Sequence, residues 1–100
     1  MRSVVGMRVR LPYKPKGEMF AIVKDMVGGS RASVFCEDEK IRIGRIVGKM
    51  KKKVWIRPND ILVIAPWVVQ SDSKCDIVYR YTVTEKERLN KKNFIPEVLQ

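Results

Sequence analysis

Eight basic residues and no acid lie between Lys40 and Asn59: Lys40, Arg42, Arg45, Lys49, Lys51, Lys52, Lys53 and Arg57. Like charges at that density repel one another, a cost that is offset when a polyanion is the usual neighbour. The chemistry such a stretch offers is electrostatic, namely contact with phosphate groups. Ile41, Ile43, Ile46, Val47, Val54 and Ile56 are interleaved with the charges. Burying them would hold the cations in a fixed pattern, unlike a disordered basic tail. Trp55 lies two residues from both Lys53 and Arg57, so on an extended segment it shares their face. A base stacked there would contribute ~1–3 kcal/mol.

Other chemistry is poorly supported. The chain has no histidine, which removes His-based acid–base catalysis, Cys–His nucleophile pairs and His-ligated metal sites together. Cys36 and Cys75 are 39 positions apart, lack metal-ligand spacing and read as small buried residues. Gly28-Gly29 lacks the Lys-Ser/Thr pair and the strand–loop–helix context of a phosphate loop. Glu37-Asp38-Glu39 could hold a cation, but it reads first as an acidic turn. No carboxylate pair has a convincing catalytic spacing. A non-enzymatic protein without metal or cofactor is expected.

One hundred residues allow one domain and one core. The chain is 45% apolar, ordinary for a folded globule. Lys and Arg total 21 against 11 acids, a net charge of +10. That balance points to nucleic acid first and an anionic membrane second. No apolar run of spanning length exists. Arg2 is not followed by an apolar signal region, so a cytoplasmic monomer with no membrane partner is expected.

The elements that must position these residues are mostly strands. Residues 1–17 read as a flexible arm, with Arg8, Arg10, Lys14 and Lys16 punctuated by Pro12, Pro15 and Gly17. They are candidate RNA contacts if the arm orders on a partner. Met19–Met26 is β-rich, and Val27-Gly28-Gly29-Ser30 is a hairpin turn. In Arg31–Glu37, Ala32, Val34 and Cys36 face one way and Arg31, Ser33 and Phe35 the other. Arg31 and Phe35 could therefore form an outward stacking platform, unless Phe35 is core. In Lys40–Val47 the alternation puts Ile41 and Ile43 inward and Lys40 and Arg42 outward. Gly44 reads as a bulge or bend in that strand. Gly48–Lys53 is a connection with a short helical turn. Ile61–Val69 is the most buried strand on pattern, with Pro66 demoting its end and Trp67 read as core. Asp76–Val83 is a fifth strand.

Thr84 with Glu87 gives a helix-starting capping box. Leu89 is the one apolar anchor within Glu85–Lys92, so that helix is mostly solvated. Phe94, Ile95, Val98 and Leu99 fall on one side of a terminal helical turn. They either fold back on the protein or dock in a partner's groove.

Five strands without a crossover helix among them predict an all-β fold: a five-stranded antiparallel OB-type barrel (S1-like) over residues 18–83, followed by a C-terminal α-helix and apolar tail over 84–100. An SH3-like barrel competes on strand count. In a barrel, Trp55 has a second reading as a plug for the open end.

Several segments together resemble the translation initiation factor 1A family. They are Arg8-Val-Arg-Leu-Pro12, Gly17-Glu-Met-Phe20, Cys36-Glu-Asp38, the string from Gly44 to Arg57, and Asp76-Ile-Val-Tyr-Arg-Tyr81. The resemblance runs from Arg8 into the C-terminal helix, and the central string is its most specific part. It implies an S1-like OB domain that binds the small ribosomal subunit at the aminoacyl site, over ribosomal RNA of the decoding region. It further implies subunit dissociation and stabilisation of initiator methionyl-tRNA. Matched residue by residue, the RNA surface would include Arg42, Arg45, Lys49, Lys51, Lys52, Lys53, Trp55 and Arg57. The long basic N-terminal and acidic C-terminal tails of eukaryotic members are missing, so the archaeal form is the nearer match. The partner implied for the apolar tail is the subunit-joining initiation GTPase. Ser33 and Phe35 stand where relatives often carry basic residues. Two rival readings are a generic single-strand-binding, cold-shock-like OB protein and a small RNA-cleaving or RNA-modifying enzyme.

Overall fold

In the computed structural model, residues 10–47 and 56–99 are described. Five strands, β1 (Met19–Gly28), β2 (Arg31–Cys36), β3 (Ile41–Ile46), β4 (Ile61–Pro66) and β5 (Lys74–Arg80), close into a barrel in the order β1-β2-β3-β5-β4. This is the OB-type barrel that the sequence predicts. The pairing is not wholly antiparallel, because β3 and β5 run parallel, with Arg45 beside Asp76 and Ile46 beside Ile77. The chain reaches that arrangement through β4, which returns antiparallel to both β1 and β5.

Two apolar clusters hold the barrel. Ala21, Val23, Val34, Leu62, Ile64 and Ile77 are among the residues that fill its interior, with Ile46 and Ile56 in the same cluster. Phe20, Ile61, Val63, Tyr81, Leu89, Ile95 and Leu99 form the second cluster outside it. The even residues of β4 serve the first and the odd ones the second, so its first four residues are all buried.

Helix α1 (Val83–Lys91) covers the outer cluster with Leu89. Its capping box is Thr82 with Glu85, not Thr84 with Glu87: Thr82 Oγ1 accepts from the Glu85 N–H at 3.2 Å, and Glu85 Oε1 accepts from the Thr82 N–H at 3.0 Å. Both pairs fit the motif. The buried Tyr81 and the Tyr79 hydroxyl, which donates to Glu85 at 2.9 Å, fix the earlier one. The tail folds back on the protein. Ile95 and Leu99 are 3% exposed and Phe94 packs beside them, while Val98 stays exposed. Three of the four apolar tail residues are therefore used within the chain.

The arm begins to be described at Arg10, and there it is fastened. The Arg10 guanidinium pairs with the buried Glu18 at 3.1 Å, the Tyr13 N–H donates to the same carboxylate, and the Tyr81 hydroxyl donates to the Arg10 carbonyl. Lys14 pairs with Glu37 at 3.1 Å, and Lys16 is exposed. Arg8 lies outside the described residues.

Candidate nucleic-acid interface

On β2 the expected alternation holds, with Ala32, Val34 and Cys36 buried. Cross-strand partners share a face, and Val34 pairs with Arg42, Ala32 with Gly44 and Arg31 with Arg45. The phase of β3 is therefore the reverse of that expected: Arg42, Gly44 and Ile46 point inward, and Ile41, at 62% exposure, points outward. Crowding at Gly44 explains the reversal. A methyl group there would sit 2.8 Å from Ile77 Cγ1 and 3.2 Å from Cys75 Sγ, so the inward position at this point of the strand has no room for the side chain of Ile43. Gly44 is thus a close-approach glycine and not the bend. The irregularities lie elsewhere, on β1 between Val23 and Asp25 and between Met26 and Gly28, and on β5 between Ile77 and Tyr79, where the pairing with β4 shifts.

Arg42 consequently does not belong to the outer cationic surface. Its side chain is 3% exposed. It donates to both carboxylate oxygens of Asp38, at 2.8 and 3.0 Å, and through Nε to the Ser71 carbonyl at 2.6 Å. The arginine's two hydrogen bonds hold the Asp38 carboxyl below the usual carboxylate range. Asp38 in turn, ahead of the opposing effect of burial, holds the guanidinium firmly protonated.

The outer face of β2 and β3 carries Arg31 and Arg45 directly opposite each other. A like-charged pair in that position is unfavourable. Beside them is an open cleft of about 440 Å³ lined by Ser30, Arg31, Ile43, Arg45, Trp67 and Lys74. Trp67 is not core. The strand ends at Pro66, and Trp67 follows it on the surface, half-buried. Its indole N–H donates to Asp76 Oδ1 at 3.0 Å, and the Arg45 guanidinium lies 5.3 Å from the ring centroid. Asp76 Oδ1 also pairs with Arg45 at 3.2 Å. Three cations, one carboxylate and one indole thus meet on a single surface. Hydropathy alone does not find Trp67, Lys74 and Asp76. The proline immediately before Trp67 is the available signal that the strand stops there.

Phe35 does lie on the outer face, but not in a platform with Arg31. It packs against the outer apolar cluster, with Lys24 Nζ 6.0 Å from its ring centroid. Arg57 is exposed where the chain turns into β4. Lys49, Lys51, Lys52, Lys53 and Trp55 lie outside the described residues, as does the helical turn expected over Gly48–Lys53. Their flanks are firmly set: Ile46 and Ile56 are both buried in the barrel interior, and the Ile46 N–H donates to the Ser30 carbonyl at 2.7 Å. The described chain is therefore anchored in the barrel on both sides of the basic connection. Two of the three acids that could have suggested a cation site are occupied, Glu37 by the Phe20 N–H and Lys14, and Asp38 by Arg42. Burial pushes both thiols up, Cys75 to about 12, so neither is a thiolate near neutral pH. No helix among the described residues is long and apolar enough to cross a membrane.

Comparison with known proteins adds to this geometry. The model of the family "Translation initiation factor 1A / IF-1" matches residues 7–100. The translation initiation factor 1A of Thermoplasma acidophilum is 50% identical over 92 residues, covering 92% of this chain and 76% of that protein. Those of Archaeoglobus fulgidus and Methanococcus maripaludis strain C7 are 47% and 46% identical over 88 residues, 88% of this chain and 90% and 85% of theirs. With the family model covering residues 7–100 and relatives near half identical over most of their length, the chain belongs to the translation initiation factor 1A / IF-1 family.

Proposed function

We propose that this protein acts by occupancy, laying the outer face of β2 and β3 and the basic β3–β4 connection on ribosomal RNA of the small subunit. The family is non-enzymatic and serves translation initiation. The finer reading is binding at the aminoacyl site over the decoding region, subunit dissociation, and stabilisation of initiator tRNA on the small subunit. The observation that carries it is the opposition of Arg31 and Arg45, extended by Lys74 and continued in sequence by Lys49, Lys51, Lys52, Lys53 and Arg57, a stretch without an acid. Such a surface is self-repelling when free and relieved on a phosphate backbone. Cations supply affinity, and the rigid barrel supplies shape complementarity to folded RNA. Arg31, Arg45, Lys74 and Trp67 join Lys49, Lys51, Lys52, Lys53, Trp55 and Arg57 as contacts. Lys16 and Arg8 extend the surface along the arm, whereas Arg10 and Lys14 act chiefly to fasten it. Docking of the apolar tail on the subunit-joining GTPase has less support, because Ile95 and Leu99 already serve the core.

The Trp67 cleft keeps one alternative in view, a general single-strand binder that stacks unpaired bases. Co-sedimentation with purified archaeal small and large ribosomal subunits, in competition with an unstructured oligonucleotide, separates the two. Selective retention on the small subunit supports the proposal. Ready displacement from both subunits by the oligonucleotide refutes it.

A further inference from the structure

The guanidinium of Arg42 ties its own strand and the turn just before it to a turn 29 positions further along the chain. It sits on β3, clasps Asp38 in the β2–β3 turn, and donates to the Ser71 carbonyl in the β4–β5 turn. Two contacts reinforce the same junction: Lys40 pairs with Asp72 at 2.7 Å, and the Ile43 N–H donates to the Ser73 carbonyl at 2.9 Å. The β4–β5 turn begins at Trp67, whose backbone N–H donates to the Lys74 carbonyl at 3.1 Å. The wall of the cleft formed by Trp67 and Lys74 is thus hung from the turn that Arg42 grips. The opposite wall, Arg31 and Arg45, stands on the strands that Arg42 and Val34 join from within. Arg42 has almost no exposed surface with which to meet a phosphate, although it sits in the middle of the basic string.

We infer that Arg42 is a positioning residue, not an RNA contact: with Asp38 as its clamp it sets the β4–β5 turn, and so places Trp67 and Lys74 against Arg31 and Arg45. The inference rests on the proposed RNA interface for its binding readout, but its structural half does not. It makes a prediction whose sign opposes simple electrostatics. Removing an acid from beside a cationic surface strengthens polyanion binding. Removing Asp38 instead loosens the clamp and weakens it. Glu39, the next residue in the same turn, is exposed and provides the matched control.

The experiment compares Asp38→Asn with Glu39→Gln in the full chain, each carrying the same change of charge. Binding of N-terminally labelled protein to purified archaeal small subunits is followed by anisotropy across a salt series, well below the melting temperature of each variant. The expected result is a several-fold loss of affinity for Asp38→Asn at an unchanged salt slope, with Glu39→Gln unchanged or slightly tighter. In the free protein, the Trp67 indole N–H resonance should shift in Asp38→Asn and stay put in Glu39→Gln. Equal affinities for the two variants would overturn the inference, as would an unmoved indole signal. If Asp38→Asn does not fold, Arg42→Lys serves, since it keeps the charge but loses the donor to Ser71. Unaltered affinity and an unmoved indole signal in that variant would also overturn it. If the wild type fails to bind small subunits, the proposed function is what has failed, and the indole resonance still decides the role of Arg42.

Discussion

Gly44→Ala should destabilise the protein, although the usual effect of such a change in a strand is the opposite. Gly44 does not have a positive φ, so alanine there restricts the unfolded chain and by itself would stabilise by roughly 0.4–1 kcal/mol. Against that stands the space available. The new methyl carbon would lie 2.8 Å from Ile77 Cγ1, 3.0 Å from its Cδ1 and 3.2 Å from Cys75 Sγ. Ordinary carbon contacts are about 3.5–4.0 Å, so several atoms must move by half an ångström or more inside a closed barrel. Overpacking of this kind costs ~1–3 kcal/mol, which leaves a net loss of about 1–2 kcal/mol. For a domain of this size, that is roughly a 5–15 °C fall in melting temperature. Thermal denaturation followed by circular dichroism measures it. Ile77→Ala provides the internal check. Alone it opens a cavity and costs ~2–5 kcal/mol, but combined with Gly44→Ala it makes room for the new methyl. The double variant should therefore be more stable than the sum of the single losses implies. A melting temperature for Gly44→Ala at or above wild type, or strict additivity of the pair, would refute the close-approach explanation of this glycine.

Three further outcomes follow from the same geometry. Trp67→Ala should weaken small-subunit binding by ~1–3 kcal/mol while lowering the melting temperature little, because the ring is a half-buried surface group; a large loss of stability with normal affinity would return Trp67 to the core. The Asp38 carboxyl titrates low chiefly because Arg42 hydrogen-bonds it, so its stabilising contribution is complete above the unfolded value near pH 4 and is lost as pH falls through the depressed folded value. In urea titrations, Asp38→Asn should thus show a shallower loss of stability below about pH 4 than wild type, and parallel curves would argue against the pair. Ile95→Ala should cost ~2–5 kcal/mol in the same titrations, since the residue is sealed between helix and barrel; a neutral result would mean that the tail does not close the outer cluster.

Much of the architecture is legible in the sequence. The alternation of Ala32, Val34 and Cys36 marks the inner face of β2, and the continuous apolar run at Ile61–Ile64 marks the strand buried on both sides. The failures share a cause, in that each depends on a partner far away in sequence or on packing. Local alternation points Ile43 inward, and only the crowding by Ile77 and Cys75 from β5 excludes that. Arg42 looks like a surface cation because, although Asp38 lies only four residues before it, nothing local reveals that Ser71, 29 positions away, meets it and that the arginine is buried. The capping motif occurs twice in Thr82–Glu87, and burial of Tyr81 selects between the copies. Trp67 is hidden by the apolar residues around it, although Val68 and Val69 prove to be exposed too. The basic string and the family-specific segments carry the functional reading because charge repulsion and residue identity need no fold to be read.

The cations of the β3–β4 connection are proposed to carry affinity for the small subunit through phosphate contacts, and on this the functional account stands. The most direct test is the slope of log K against log salt for binding to purified small subunits, measured for wild type and for Lys51, Lys52 and Lys53 changed together to Ala. Weaker binding is expected, with a flatter slope, smaller by up to about 1 for each phosphate that the variant no longer neutralises. A triple variant with wild-type affinity and wild-type slope would contradict the account.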